Sequence, residues 1–438
     1  MLAAFSPTLY DPVFGKHGDA TMKRYGRNIP LEYLYVSLGS FNLTHGLWMI
    51  YLASQGFSLV QLGILEALYH VTSFLMEVPT GAVADLWGRK ASRICGRVIA
   101  CFSLLVMFFG KVFWVQSMAF ILTALGNNLE SGSGDALVYD SLLLDDREDR
   151  YMRVAGKREL IFQSTAIVAY AFGGYLALRS YAAVYAVSMA CFALAALCAF
   201  FFREPKVHVP VLPEARGRSM GSRILGSMKD QLSQSLRIMR ERKKIGFFIV
   251  FSEILFCFIT VLFFYLQNHW ISLGWSEWEI GLVFCANAAV AGLIALRSSS
   301  LERKIGERGV LTFLPIALVL CLWGVALTRF AHLFFIFLGT IEGLLIIAIG
   351  TYLNRLIPSA QRATILSFQS MAFSLFMMVL FPLVGVVGDR WSLPVAFVAM
   401  STAASLLFLL YLFLYRPLGP SCLTCVVDNR LHSAHPVN

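Results

Sequence analysis

The chain has 438 residues, of which 58% are hydrophobic and only 14% charged, with mean hydropathy +0.69 and a formal net charge of +10. A soluble domain carries nearer a quarter of its residues as charges, so this composition excludes an ordinary soluble protein. The basic excess is concentrated on one side of the predicted topology, and no nucleic-acid partner is expected.

Apolar runs long enough to cross a bilayer as helix recur twelve times, at roughly 32–53, 59–82, 94–114, 117–139, 160–178, 182–202, 247–267, 278–297, 310–328, 331–353, 365–388 and 393–415. They are numbered spans one to twelve below. None alternates as a barrel strand must, so the class is an all-α polytopic membrane protein.

Residues 1–29 read as an N-terminal extension without an apolar core of signal length. "MKRYGRN" from Met22 resembles a natural start, so residues 1–21 receive no function. Span one carries Asn42 and His45. Span two carries Glu66, His70, Ser73 and Glu77 at i, i+4, i+7 and i+11, one stripe of a helix. A carboxylate one turn from an imidazole can share a proton near neutral pH, which makes Glu66 and His70 candidates for a proton pathway. Glu77, beside Pro79, is expected to bond loop backbone.

The turn between spans two and three reads "GAVADLWGRK", with Gly81, Asp85, Gly88, Arg89 and Lys90 in ten positions. Span four is the most polar: Asn128, Ser131 and Asp135 share one face, Asn127 and Glu130 lie on a neighbouring one, and Glu130 falls near the midplane. Asp140 lies at its basic end, and span five contributes Gln163.

Residues 203–246, with eleven Lys and Arg against four acids, read as a linker between a bundle at 30–202 and a second at 247–416. Its stretch "MKDQLSQSLRIMRERKK" alternates apolar and basic positions at helical spacing, which suits either a helix on an anionic leaflet or a solvated tether. Glu253 of span seven is expected to be a helix-start acid, and Ser276-x-x-Glu279 a capping box opening span eight. Glu342 of span ten lies at nearly the depth of Glu130, and Gln369 adds a polar point on span eleven. In the tail, 417–438, Cys422, Cys425, His432 and His435 lie too close together for a finger, and seven of the nine cysteines sit inside predicted helices, so neither metal nor disulfide framework is expected.

Thirty-two of the 36 Lys and Arg fall on one side when ends and connections alternate, which places both termini in the cytoplasm by the positive-inside rule. Repetition organises the chain further. "SQGFSLVQLGI" (54–64) matches "SLGWSEWEIGL" (272–282) at a shift of 218, the same shift sets Gly88-Arg89-Lys90 on Gly306-Glu307-Arg308, and "FQSTA" (162–166) matches "FQSMA" (368–372). One six-helix unit occurs twice in the same orientation.

With twelve spans in parallel halves, the stretch Gly81-x-x-x-Asp85-x-x-Gly88-Arg89-Lys90 resembles the 2–3 loop signature of the major facilitator superfamily, over about residues 30 to 416. The resemblance implies two bundles rocking about a central site, with this turn latching them while the cytoplasmic side is closed and its basic residue pairing with an acid at the end of span four, here Asp140. Close helix approach is expected at Gly81 and Gly88, and Asp85 is expected to face a helix N-terminus of the other bundle. Compared with drug/proton antiporters of the family, Asn127 and Asn128 stand where an Arg is common, and Gly173-Gly174 keeps two glycines of a span-five signature without its Pro.

The expected function is secondary active transport of a small molecule by a monomer in the plasma membrane, coupled to protons, without cofactor. Spans poor in buried cations point to efflux of a cationic or zwitterionic drug-like compound or metabolite, and proton-coupled uptake of a small polar metabolite is the alternative. A polytopic membrane enzyme is disfavoured, because no metalloprotease, nucleophile-elbow or phosphate-loop motif occurs.

Overall fold

The computed structural model describes residues 25–205, 226, 233, 237, 240, 241, 243–356 and 362–415. The tail cysteines and histidines and most of the basic linker, including its helical stretch, lie outside the described residues. Among the described residues, ten helices are long and apolar enough to cross a membrane: Leu59–Trp87, Arg89–Phe109, Glu148–Ala177, Tyr181–Phe200, Lys244–Ser272, Glu277–Ser298, Ser300–Leu327, Ala331–Leu353, Ser367–Arg390 and Leu393–Phe413. These are spans two, three and five to twelve. Spans one and four supply the other two, each divided into a pair of helices.

Span one runs as Asn28–Ser40 and Trp48–Ser54. Between them Asn42 turns its side-chain oxygen on Thr44, accepting from its N–H at 3.1 Å and its hydroxyl at 2.7 Å. Such local bonding offers the backbone an alternative to the helix ladder. The Leu43 N–H released by the break donates to Ser188 of span six at 3.1 Å, so it is not left unpaired in the apolar interior. Span four breaks at Ser131 and Gly132, between Phe113–Glu130 and Ser133–Leu143, with Gly132 at φ 71°. Both Ser92 and Ser133 donate to the Leu129 carbonyl at this break.

The repeat seen in the sequence is carried by backbone features. Ser58 with Gln61 and Ser276 with Glu279 form full capping boxes that open spans two and eight, and each pair is displaced from the other by the shift of 218. Gly56 (φ 93°) maps on Gly274 (φ 88°) and Gly88 (φ 94°) on Gly306 (φ 73°), left-handed positions where a side chain would be strained. Gly306 alone interrupts the rod Glu277–Leu327 that joins spans eight and nine.

The two halves meet chiefly along spans two with eleven and five with eight. At the face opposite the basic turns they touch backbone to backbone. A Cβ on Gly63 would lie 2.9 Å from the Phe381 carbonyl oxygen of span eleven, and one on Gly281 would lie 2.7 Å from that of Tyr170 in span five. These two glycines are also related by the 218-residue shift. Asp389 at the end of span eleven accepts the Leu59 and Val60 amides at 2.9 and 2.8 Å, capping span two from the other half. The Tyr265 hydroxyl donates to the Leu59 and Phe381 carbonyls, and Tyr181 donates to Glu277 at 3.0 Å. Beneath this seal lies an aromatic plug in which Phe263 stacks on Phe284 at 4.3 Å and His45 stacks on Phe263 at 5.9 Å.

The basic face is joined more loosely. Among the described residues, a hydrogen bond from Ser367 to Glu77 at 3.2 Å links the halves near this end. The opposite face is therefore the closed one. Replacing Asp389 by Ala removes a charged cap and is expected to weaken the closed arrangement by about 1–2 kcal/mol, a roughly five- to thirtyfold population shift. Spin labels at Gln55 and Arg390 should then report a new long-distance population, and an unchanged distribution would refute the cap's role in closure.

Candidate functional site

The turn after span two is wired into its own half. The Arg89 and Lys90 amides each donate to the Glu204 carboxylate at 2.7 Å, which caps the first turn of span three. A Cβ on Gly88 would meet that carboxylate at 2.8 Å, so close approach as well as positive φ requires glycine there. The Arg89 guanidinium donates to Asp85 at 2.7 Å and lies 4.0 Å from Asp140, the acid that the family pattern pointed to. Lys90 Nζ reaches the Phe200 carbonyl at 2.7 Å. Glu204 was not singled out in the sequence, although an acid directly after span six, in "FFREP", is the signal for it.

Two expectations for this turn differ from what is found. Asp85 pairs with Arg89 and leaves 59% of its side chain exposed, without facing a helix of the other half. Nothing lies within 4 Å of a Cβ on Gly81, so no helix approaches closely there. The physical reason is the same for both: with the opposite face sealed, this end of the two halves is apart.

Deeper in the first half lies a cluster of six charges. Glu32 of span one binds Arg93, and its other oxygen lies 3.7 Å from Arg158. Glu130 accepts from the Tyr35 hydroxyl and lies 3.3 Å from Arg97 and 3.7 Å from Arg93. Arg158 binds Asp135, and Arg93 stacks over the Tyr35 ring at 3.9 Å. Three acids and three arginines are thus balanced, with Arg93 and Glu32 almost wholly buried. This corrects the expectation that the spans are poor in buried cations. Arg93 and Arg158 fall outside the spans drawn by hydropathy and Arg97 at the edge of one, but the helix of span three begins at Arg89 and that of span five at Tyr151, not near 160.

Glu66 and His70 meet as the stripe predicted, 3.6 Å apart, and His70 Nδ1 lies 3.4 Å from the Ser374 hydroxyl of span eleven. Ser73 and Asn128 clamp span two to span four by a reciprocal pair: the Ser73 hydroxyl donates to Asn128 Oδ1 at 2.9 Å, and Asn128 Nδ2 donates to the Ser73 carbonyl at 2.7 Å. Asn127 is exposed and donates to the Tyr69 hydroxyl at 3.0 Å. Glu77 accepts from Ser367 and not from loop backbone, because span two continues as helix to Trp87.

In the second half Glu253 lies well inside the helix Lys243–Ser272, so it is not a helix-start acid. It is held by Gln369 at 2.6 Å and Ser252 at 2.9 Å. Glu342 carries no ion pair among the described residues and lies within electrostatic reach of Tyr170. Gln163 bonds Glu159 at 2.9 Å on its own helix, Asn42 serves the break in span one, and His45 stays exposed beside the aromatic plug. The predicted residues thus separate into a two–eleven contact, the charge cluster and isolated polar points.

The charge cluster yields a stability prediction. Glu32→Gln leaves buried Arg93 short of its carboxylate and is expected to cost about 3–5 kcal/mol, measured as a lower thermal midpoint in detergent. A Glu32→Leu, Arg93→Leu pair should cost less than the single change, and strictly additive losses would count against a coupled pair.

Comparison with known proteins places this geometry. A curated relative, an uncharacterised MFS-type transporter named YxaM from Bacillus subtilis (strain 168), is 21% identical over 374 residues, covering 83% of this chain and 90% of its own. The crystal structure of the nucleoside transporter NupG superposes with TM-score 0.69 at 13% identity, over 88% of this chain and 98% of that one. The D-xylose-proton symporter superposes with TM-score 0.64 at 14% identity, over 86% and 95%. The family model of the Major Facilitator Superfamily matches residues 33–341, and on that match, together with its two parallel six-helix bundles, the chain belongs to the Major Facilitator Superfamily.

Proposed function

We propose that this transporter exports a small cationic or zwitterionic compound in exchange for protons, with the basic face and both termini in the cytoplasm of a bacterial cell. The observation that supports this reading most is the contact Glu66–His70–Ser374, which sets an acid and an imidazole of span two against span eleven, where the halves must slide. An ionisable group in the apolar interior is costly to keep without a full set of partners, and such groups mark ion pathways. Glu342, without an ion pair among the described residues and near Tyr170, supplies a second acid and an aromatic face for a cation.

In this reading cargo enters from the basic face while the opposite face is sealed. A proton on the Glu66–His70 pair and a cation near Glu342 compete for negative charge, so that binding of one favours release of the other. Rocking of the halves then separates Gly63 from Phe381 and Gly281 from Tyr170, while Asp85 and Arg89 are brought against the other half. The arginines do not oppose a cationic cargo, because Glu32, Glu130 and Asp135 neutralise them.

Proton-coupled uptake of a polar metabolite is the second reading. Arg158 favours it, since its side chain keeps 24% exposure beside Asp135 and would attract an anionic or polar cargo.

Everted vesicles discriminate. Export in exchange for protons predicts that a cationic candidate relieves the quenching of a pH-sensitive dye, whereas accumulation in intact cells supports uptake. Glu66→Gln is expected to lower proton-driven transport by about tenfold or more while leaving energy-independent exchange of cargo in place. Retention of wild-type pH dependence by this variant rules out the proton assignment. Glu342→Gln should instead weaken binding of cationic cargo by about tenfold with proton coupling intact, and equal effects on neutral and cationic ligands would remove its role in recognising charge.

A further inference from the structure

At the basic end of the first half, a pocket of about 350 Å³ opens between the start of span one, the end of span four and the start of span five. It lies apart from the Glu66 contact and shares no residue with the charge cluster. Arg147, Arg150, Arg153 and Lys157 line it, with Tyr25 and Tyr33 on the facing wall. We propose that this pocket binds a phosphoanion, either the headgroup of an anionic phospholipid or a soluble phosphate monoester.

The arrangement of charge carries the argument. The segment "DDREDRYMRVAGKRE" is mixed in sign along the chain, with Asp145, Asp146, Glu148 and Asp149 among its basic residues. Folding sorts it. The 3-10 turn Glu148–Arg150 leads into the helix that begins at Tyr151, so positions 147, 150, 153 or 154, and 157 fall on one face. Those are the pocket's Arg147, Arg150, Arg153, Val154 and Lys157, while Asp146, Glu148 and Asp149 are exposed outside it. The one acid in the lining, Asp145, is buried and already accepts the Tyr25 amide at 3.3 Å. None of the four cations is ion-paired among the described residues, in contrast to Arg93, Arg97 and Arg158 of the charge cluster.

The walls are held in place. Asn28 donates to the Ser141 hydroxyl and to the Arg203 carbonyl, each at 2.8 Å, tying span one to spans four and six beside the pocket. The Arg147 amide donates to the Leu142 carbonyl at 2.8 Å, and Asp146 takes a positive φ of 53° to make that turn. Four unpaired cations on a fixed frame, with Ile29, Pro30 and two tyrosines opposite, match a phosphate attached to something partly apolar. That the pocket faces the inner leaflet rests on the orientation proposed above, whereas its phosphoanion chemistry does not.

The test uses the full-length protein in nanodiscs of phosphatidylcholine, both leaflets being alike, so the result is independent of orientation. Thermal midpoint is followed while phosphatidylglycerol is added to the discs and, separately, while inorganic phosphate or glycerol phosphate is added to the buffer. A lipid site predicts stabilisation by phosphatidylglycerol that weakens with salt and is not reproduced by the soluble anions; stabilisation by the soluble anions in neutral discs assigns the pocket to a free phosphate compound. Arg150→Gln, Arg153→Gln and Lys157→Gln together should weaken the response about a hundredfold, about fivefold for each cation, while the matching Arg150→Lys, Arg153→Lys pair retains it. If the triple variant does not fold, Arg153→Gln alone should give the fivefold loss. Absence of a response to every probe in the wild type, or an equal response in the glutamine variants, overturns the proposal.

Discussion

Two glycines, Gly63 and Gly281, let the halves of this transporter touch through their main chains, and the shape of the molecule depends on that contact. Where helices meet backbone to backbone there is no space for solvent, and the Phe381 and Tyr170 carbonyls lie where a methyl group would have to go. The Asp389 cap and the Tyr265 hydroxyl add polar bonds at the same end. Spans two with eleven and five with eight are thereby pinned at one face. Because the helices are stiff, pinning one end leaves the other to part, and the unlatched Asp85 and the empty surroundings of Gly81 are consequences at the far end.

The halves are duplicates in backbone but not in charge. Capping boxes and left-handed glycines repeat at the 218-residue shift, so the local devices that start and stop helices have been kept. Among the described residues, a buried cluster of arginines and acids occurs in the first half alone, and its spans one and four are each divided into two helices. The cluster binds both sides of the break in span four, Glu130 before it and Asp135 after it, to arginines of two other spans. Charge pairs in an apolar interior hold their geometry firmly, since separating them exposes each to desolvation that nothing else offsets. Two acids inside spans of the second half, Glu253 and Glu342, form no ion pair among the described residues, and Glu253 is held by the neutral Ser252 and Gln369.

The number of spans, their orientation as a repeat and the stripe from Glu66 to Glu77 were legible in the sequence, because a bilayer demands a minimum length of apolar helix and a helix places residues at fixed angles. The Ser276–Glu279 box and the Arg89–Asp140 approach were legible for a related reason: capping is local, and the turn follows a family pattern. What tertiary structure alone decided is the partner of each polar group. Arg93 meets an acid 61 positions away and Leu59 one 330 positions away, and periodicity within a span says nothing about which other span packs against it. Depth was equally hidden. Hydropathy places the end of a span where charges begin, yet span five starts at Tyr151 because Arg158 finds Glu32 and Asp135 inside the bundle, and a paired charge does not end a helix. The sequence by itself therefore determined how many helices cross and which face of each is polar, through rules that act within one helix; the closed face, the charge cluster and the basic pocket were decided only when those helices packed.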